Sequence, residues 1–438
     1  MLEQFFQLQK NGTTIRREVM AGLTTFAAMA YILAVNPSIL SVTGMDRGAL
    51  ITATALASAI MTLAMALLTN YPLALAPGMG LNAFFAFTVC GAMKIPWQAA
   101  LGMVFWGGVV FLLLSITGIR QKLVDAIPME LKLAITCGIG LFIAFIGLRN
   151  GGIIVGHPAT LVGLGNFHQP SPWLVLGGLI FTAALVAKKV RGAVVLGILA
   201  VTIACLFAGI TAHPSSLVAW PASLAPTFLK LDLSFLWTHS AVAIPIVLSF
   251  LFVDLFDNMG TLIGVCNRAG LLDRNGSLPK IGRAFTADAS AAMIGSCLGT
   301  STVTTYIESA AGVEEGARTG FSSVIVALCF LLALLLHPLI AIIPAVATAP
   351  ALIIVGIFMM QGVLDIDLRD FSKAVPAVIT MIAMPLTFSI SEGIALGFLV
   401  YAGLKLCLGR AREVTPLAWI LAALFLAHFI YQGVDAAT

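Results

Sequence analysis

Charged residues are scarce in this chain: they make up only 10% of its 438 residues, whereas 60% are hydrophobic. A water-soluble domain needs more polar residues than this to cover its exterior. The composition therefore excludes a soluble globular protein and indicates a chain whose solvent is lipid. The 23 basic residues fall in short clusters between apolar runs. They form neither a patch nor a stripe, which excludes nucleic acid as a partner.

Cysteines and catalytic motifs are also sparse. The seven cysteines lie scattered in or beside apolar stretches, without the spacing of a metal site or of a disulfide framework. The sequence shows no phosphate-binding glycine loop, catalytic triad or metal-ligand set. We therefore expect no enzyme, no catalytic residues, no metal site and no cofactor. Residues 1–17 are polar and basic, so we expect the first apolar run to be kept as a span rather than cleaved as a signal peptide.

Apolar runs of near-bilayer length are abundant. A full span needs about 20 residues, and runs separated by polar, proline or glycine residues predict fourteen transmembrane segments. The segments are 18–40, 48–69, 78–93, 97–117, 130–148, 172–187, 193–211, 236–263, 284–298, 305–316, 319–337, 340–361, 373–389 and 391–408. The third, ninth and tenth are short, so we expect broken or tightly packed helices there. Segment 417–432 is expected to lie in the interface rather than to span obliquely.

The basic residues indicate the orientation, because cytoplasmic loops keep positive charge. With the N-terminus inside, 19 of the 23 basic residues fall on the cytoplasmic side. Only Arg47, Lys94, Arg149 and Lys230 fall outside. One missing or extra span would scramble this alternation. The split therefore predicts a multi-pass protein of the inner or plasma membrane with a cytoplasmic N-terminus.

Two acidic residues interrupt the eighth segment. Asp254 and Asp257 lie three residues apart within Leu251–Gly260, so they share one helix face. An aspartate at mid-helix costs about 2.5–3.5 kcal/mol to insert into a bilayer, so this face should look at water, a partner or a ligand. Two carboxylates so close resist joint ionisation, and at least one is expected to carry a proton. The alternative is a pair that only hydrogen-bonds to other helices.

The tenth segment starts with an extended stretch and then an acid. Gly299–Tyr306 is rich in β-branched residues, which favour extended backbone. Thr305 and Glu308 have the spacing of a capping box. We therefore expect a half-helix to start here in mid-membrane, where its positive dipole end would stabilise a carboxylate and attract polar groups of a ligand. The alternative is that Glu308 only caps its own helix.

The third segment has a similar interruption. Pro72 and Pro77 break any helix before them. Gly78 and Gly80 permit another backbone to approach closely. Asn82 falls in the first turns of the half-helix that follows, where its amide can offer a donor and an acceptor together. The alternative is an asparagine that only bridges two helices.

Two interrupted segments, one in each half of the chain, indicate the midplane site of an inverted-repeat transporter. Their offset of seven segments is odd, so the two halves should have opposite orientations in the membrane. We therefore predict an all-α polytopic membrane protein with short extended stretches in segments 3 and 10, a secondary transporter built as a seven-plus-seven inverted repeat. Segments 1–4 and 8–11 would form one domain, and segments 5–7 and 12–14 the other.

Three stretches of the chain resemble the AzgA-like hypoxanthine/guanine/adenine permeases of the nucleobase:cation symporter family 2, in the xanthine/uracil permease superfamily. These stretches are residues 76–85, 252–257 and 305–312, and the likeness extends from Gly22–Ile32 to Ile390–Ala395. The resemblance implies the uracil-permease-like fold, in which a core domain holds substrate and moves against a gate domain. The implied division is core 1–119 and 236–337, gate 120–211 and 338–409, an extracellular loop 212–235, and a cytoplasmic or interfacial C-terminal segment 410–438.

The resemblance also implies roles for individual residues. Asp254 and Glu308 would be the main substrate carboxylates, with Asn82 and Asp257 supporting them. Independently of the resemblance, we also expect Thr305 and Tyr306 in the binding site, Tyr306 by stacking its ring on the base. Asp288 matches an acidic position that these permeases carry in the ninth segment, although pairing with a neighbouring base is the alternative. The candidates for proton coupling are Asp254, Asp257, Asp288 and Glu308.

The expected function is import of a purine nucleobase (hypoxanthine, guanine or adenine) by proton symport with alternating access. The proton would be the coupling ion. Relatives with this fold dimerise through the gate domain, which suggests a homodimer by analogy. The alternatives are a pyrimidine, xanthine or an anion carried on the same fold, and a channel or an integral-membrane enzyme. An anion carrier should place cationic or neutral groups at the half-helix starts, whereas this chain has carboxylates there.

Overall fold

A computed structural model describes residues 2–117, 128–158, 160–214, 216–271 and 278–435. Nearly all regular structure in these residues is helical. The first half contains α1 (Leu2–Phe6), α2 (Ile15–Met29), α3 (Ile32–Leu40), α4 (Arg47–Thr69), β1 (Leu75–Pro77), α5 (Met79–Ala83), a π-helix (Phe84–Ala92), α6 (Trp97–Ile116), α7 (Met129–Asn150), β2 (Ile154–His157), β3 (Leu161–Leu164), α8 (Pro170–Ala187) and α9 (Ala193–Phe207).

The second half is also mostly helical and contains one short strand among the described residues. It contains α10 (Phe235–Thr238), α11 (Ser240–Arg268), α12 (Ile281–Leu298), β4 (Val303–Thr305), α13 (Ser309–Glu315), α14 (Gly320–Ala333), α15 (His337–Ala341), α16 (Ala345–Met359), α17 (Phe371–Thr387), α18 (Ile390–Cys407) and α19 (Pro416–Asp435). Short 3₁₀ turns occupy Ser41–Thr43, Leu334–Leu336, Met360–Asp365 and Ala411–Glu413.

Many of these helices have the length and composition of membrane spans. Among the described residues, eight helical stretches are long and apolar enough to cross a bilayer, namely 15–43, 47–69, 97–116, 129–150, 170–187, 320–341, 345–365 and 390–407. Shorter apolar helices lie at 79–92, 193–207, 240–255, 371–387 and 416–427. The prediction of a helical membrane protein is confirmed, and the count of fourteen spans stays a prediction.

The chain forms two compact units. The first comprises residues 1–116 and 146–354, and the second comprises 117–145 and 355–438. Residues 146–211, which the sequence assigned to a gate domain, belong to the first unit. The assignment of core and gate domains therefore stays a prediction.

The second unit is built on the hairpin of α17 and α18, which pack tightly together. The start of α7 belongs to the same unit, and Gly138 on it leaves room for Met384 of α17. Phe142 packs edge to face on Phe388 with ring centroids 5.2 Å apart. These contacts bury the apolar faces of helices that carry few charges.

In the first unit, β1 and β4 lie side by side within a buried cluster, and we call this strand pair the strand crossing. The two strands pair antiparallel, with Leu75 opposite Thr305 and Pro77 opposite Val303. The sequence predicted extended backbone in both interrupted segments, and the strands are present. Packed around them are side chains from α4, α11 and α12, including Met61, Leu262 and Phe285. Strand backbone inside a membrane is tolerated only where protein satisfies its polar groups.

Hydrogen bonds outside the strand pair satisfy further backbone polar groups near β1 and β4. The Gly78 N–H donates to Thr302 O over 2.9 Å, and the Tyr306 N–H donates to Ala74 O over 2.9 Å. The Thr62 hydroxyl of α4 accepts the Leu75 N–H at 2.8 Å. Each end of the crossing is therefore tied down by its neighbours.

The start of the second half-helix differs from the prediction. Thr305 and Glu308 do not form a capping box, because Thr305 is held in β4 and its hydroxyl bonds to α11 instead. The helix α13 starts at Ser309, and Glu308 occupies its N-cap position without a side-chain capping bond. Strand pairing has overridden the local helix signal here.

The first predicted segment is also interrupted, which the sequence did not indicate. It is split into α2 and α3 at Ala30 and Tyr31. Leu33 N–H donates to Ala30 O and Ala34 N–H donates to Tyr31 O, which are the i to i+3 bonds of a tight turn. At this tight turn the Tyr31 hydroxyl donates to Glu308, the residue before α13.

Gly312 sets how closely α13 packs on α2. A Cβ atom at this position would lie 2.8 Å from Ala21 O and would overlap the Thr25 hydroxyl. We expect Gly312→Ala to lower the free energy of unfolding by about 1–3 kcal/mol, the range for overpacked sites. Denaturant unfolding of the purified protein measures this.

Gly177→Ala in α8 is the matched control, because a Cβ there meets nothing within 4 Å. Alanine is also the better helix former, so the control should be neutral or slightly stabilising. Equal stability of the two variants would contradict close packing at Gly312.

Candidate binding site

Asn82 lies in α5, directly after the strand crossing. Its side chain is fully buried, and the Ser301 hydroxyl, just before β4, donates to its Oδ1. Its Nδ2 amide group has no hydrogen-bond partner among the described residues. Asn82 therefore bridges the two interrupted segments with its oxygen, as the alternative proposed, and still holds a pair of buried donors.

One face of α11 adds polar groups to the same place. Asp254, Asn258 and Thr261 follow one another at helical spacing, so they lie on one side of the helix. The Thr305 hydroxyl donates to Asn258 Oδ1 over 3.0 Å, and the Thr261 and Thr305 hydroxyls are 2.7 Å apart. Asp254 is buried one turn before Asn258.

The other two predicted aspartates are Asp257 and Asp288. The side chain of Asp257 lies outside the described part of the chain. Asp288 of α12 is fully buried and accepts a hydrogen bond from the Thr304 hydroxyl at 3.3 Å. Asp288 is therefore tied to β4, next to the residue that contacts Asn258.

Glu308 is half-buried at the start of α13. The phenol of Tyr31, at the break between α2 and α3, donates to Glu308 Oε1. A carboxylate can accept several hydrogen bonds, so this contact orients Glu308 and leaves it capacity to accept from a ligand.

Tyr306 has a structural contact. Its hydroxyl donates to Pro77 O over 2.6 Å, so the ring is held across the two strands. Its predicted stacking on a ligand stays a prediction. Thr305 likewise uses its hydroxyl to join β4 to α11 rather than to cap a helix.

Several polar residues of the site were missed in the sequence. Asn36 of α3 donates to the hydroxyls of Thr54 and Thr300 over 2.7 and 2.9 Å. Tyr31 and Ser301 were missed as well. Asn258 could have been found, because it lies four residues after Asp254 on the same helix face. Tyr31 and Asn36 had only one signal, a polar side chain inside an apolar run.

The chemistry of the site follows from its groups. Carboxylates at 254, 288 and 308 can accept hydrogen bonds from a ligand, and the Nδ2 groups of the amides at 82 and 258 can donate them. No lysine or arginine is among the residues named at this site. Such a set suits an uncharged polar molecule that presents both N–H groups and acceptor atoms, and it disfavours an anion.

Known proteins place this chain among membrane transporters. The model of the Permease family matches residues 16–396. A putative permease of Methanocaldococcus jannaschii is 50% identical, with 98% of each chain covered. The guanine/hypoxanthine permease PbuG of Bacillus subtilis is 46% identical, with 98% of this chain and 100% of that protein covered. The adenine permease AdeP of Escherichia coli is 43% identical, with 98% and 96% covered.

A solved structure shares the fold. The transmembrane domain of a cyanobacterium bicarbonate transporter, BicA, superimposes with a TM-score of 0.67 at 14% sequence identity. The match covers 87% of this chain and 97% of that domain. At this identity the likeness concerns the fold alone.

Proposed function

This chain belongs to the Permease family and is a transporter rather than an enzyme, and from this we propose that it imports purine nucleobases together with protons. The observation that carries the proposal is the set of polar side chains held around β4. Ser301, just before the strand, donates to Asn82, and Thr305, at its end, donates to Asn258, one turn after Asp254. Glu308 follows the strand by three residues. Relatives named as guanine/hypoxanthine and adenine permeases match nearly the whole chain, which supports the choice of substrate class.

Hydrogen-bond chemistry supports a purine at this site. A purine carries ring N–H donors beside acceptor atoms on one flat molecule. The carboxylates of Asp254 and Glu308 suit the N–H groups, since bonds to a charged acceptor are shorter and stronger than neutral ones. The amides of Asn82 and Asn258 suit the acceptors. A pyrimidine or xanthine is the competing substrate.

Proton coupling is proposed from the buried acids. A carboxylate held inside a membrane costs several kcal/mol unless it is protonated, paired or bonded to ligand. Asp254, Asp257, Asp288 and Glu308 are the candidates. We assign the coupling proton to Asp254, which lies on the helix face that meets β4, and base binding to Glu308.

The architecture we propose is the fourteen-span, seven-plus-seven inverted repeat of the uracil-permease-like fold. A core domain would carry the site and move against a gate domain in alternating access. The distribution of basic residues supports a cytoplasmic N-terminus in the cell membrane. A homodimer through the gate domain is the proposed assembly.

Uptake of radiolabelled hypoxanthine into cells that lack their own purine permeases tests the proposed function. We expect concentrative uptake that guanine or adenine competes for and that uracil leaves unaffected. A protonophore should reduce accumulation to the equilibrium level, because the proton gradient would drive it. Equal accumulation with the gradient collapsed would exclude proton symport, and competition by uracil alone would reassign the substrate.

A further inference from the structure

Two buried amide groups at the site lack acceptors. The side chains of Asn82 and Asn258 are both 0% exposed. Among the described residues, neither Nδ2 atom has a hydrogen-bond partner. A buried donor left unpaired costs about 1–3 kcal/mol, and a native protein rarely keeps one without a reason. Two such donors at one site indicate that a ligand supplies the acceptors.

The two amides belong to the same place in the fold. Helix α11, which carries Asn258, packs against α5, which carries Asn82, and against β4. Ser301, two residues before β4, donates to the Asn82 oxygen, and Thr305, the last residue of β4, donates to the Asn258 oxygen. Both amides are therefore held by the segment Ser301–Thr305, on the same strand that Glu308 follows by three residues.

We infer, resting on the proposed function, that Asn82 and Asn258 recognise the O6 and N7 edge of the base and select 6-oxopurines over adenine. Guanine and hypoxanthine carry acceptors at both O6 and N7, whereas adenine has an amine donor beside N7. Two amide donors match the two acceptors of guanine and hypoxanthine. With adenine, one of the amides would face the amine, which is also a donor. The related permeases include both guanine/hypoxanthine and adenine carriers, so the inference assigns this chain to one of two known preferences.

The carboxylates add a second contrast. A 6-oxopurine has an N–H at ring position 1, which a carboxylate of Asp254 or Glu308 can accept. Adenine has an unprotonated acceptor at that position, which a carboxylate repels. Adenine is therefore mismatched on two adjacent edges of the site.

The hydroxyls of Ser301 and Thr305 hold the two amides in one orientation. An asparagine could serve adenine by turning its amide so that the oxygen faces the 6-amine. Here each oxygen already accepts a hydroxyl proton, so turning the amide would give up the O–H···O bond and force the hydroxyl to reorient. Ser301 and Thr305 are therefore positioning residues, and removing one hydroxyl should let its amide rotate.

Equilibrium binding of radiolabelled hypoxanthine to the purified full-length protein tests this, with guanine and adenine as competitors. We expect guanine to compete at concentrations similar to hypoxanthine, and adenine only at about 100-fold higher concentrations, since a buried polar mismatch is rejected strongly. Thr305→Val and Ser301→Ala should each lower the ratio of adenine to guanine concentrations about tenfold. A purely structural role would weaken all purines equally and leave the ratio unchanged.

Thr202→Val in α9 is the matched control. This threonine is buried, and its hydroxyl donates within its own helix, to Ile198 O at 2.8 Å. The control should keep the wild-type ratio.

Each outcome decides a separate point. Adenine competing as well as guanine on the wild-type protein would overturn the inference and leave purine transport standing. An unchanged ratio in both hydroxyl variants would remove the amides from selectivity. Failure of all three purines to bind would reject the proposed function itself. The wild-type ratio decides the inference even if a variant does not fold.

Discussion

Replacing Glu308 with glutamine is expected to weaken hypoxanthine binding by about 10- to 100-fold. Hydrogen bonds to a charged group are worth about 1.5–3 kcal/mol, and each 1.4 kcal/mol is a factor of ten in affinity. Glutamine keeps the shape of the side chain and removes the charge, so the loss should fall on ligand binding. Equilibrium binding to the purified variant measures it.

Two further variants separate binding from structure. Glu314→Gln is the matched control on the same half-helix, because Glu314 is exposed and pairs with Arg268 at 3.3 Å. That surface ion pair contributes little stability. The affinity of Glu314→Gln for hypoxanthine should therefore stay within about twofold of wild type. Tyr31→Phe removes the hydroxyl that donates to Glu308, and should lower the affinity about tenfold. Normal affinity in Glu308→Gln would take this residue out of the site.

Replacing Asp254 with asparagine is expected to abolish proton-driven accumulation while preserving exchange of purine across the membrane. An amide resembles the protonated acid in shape and cannot release a proton, so the carrier would bind and reorient without the gradient. Accumulation in proteoliposomes with an imposed pH gradient should fall at least about tenfold, the scale of a lost coupling free energy of 1.4 kcal/mol or more. Exchange against preloaded unlabelled hypoxanthine should continue.

The remaining aspartates serve as comparisons for this result. Asp257→Asn and Asp288→Asn, made in the same way, should retain accumulation if Asp254 carries the proton. Asp288 accepts a bond from Thr304, so its variant should lose some affinity instead. Full accumulation by Asp254→Asn would move the coupling role to another acid.

The sequence predicted the parts of the site whose signals are local. Pro77 and the β-branched run before Tyr306 marked the two interruptions. Acids within apolar runs marked Asp254 and Glu308 as candidates, because proline and charge in an apolar run are costly wherever the chain goes. The pairing of Leu75 with Thr305 was not visible, since strand register depends on residues far apart in the chain. That pairing also explains why the capping box at Thr305 was wrong.

Tyr31 shows a different limit. No proline or glycine marks the turn at Ala30, so the first segment was predicted as one continuous helix. The break arises where α2 and α3 pack on α13 and α4, and tertiary packing routinely overrides helix propensity. Neither the turn at Tyr31 nor the hydrogen bond from Tyr31 to Glu308 could be predicted from neighbouring residues in the sequence.

The pairing of β1 with β4 has a consequence for how the protein is made. Residues 75–77 enter the membrane early in synthesis, and their partners at 303–305 are translated much later. Until then the first strand carries backbone groups that lipid cannot satisfy, at several kcal/mol for each unmet bond. The nascent chain must shelter them with water, its own helices or the insertion machinery, so the candidate site forms as one of the late events of assembly.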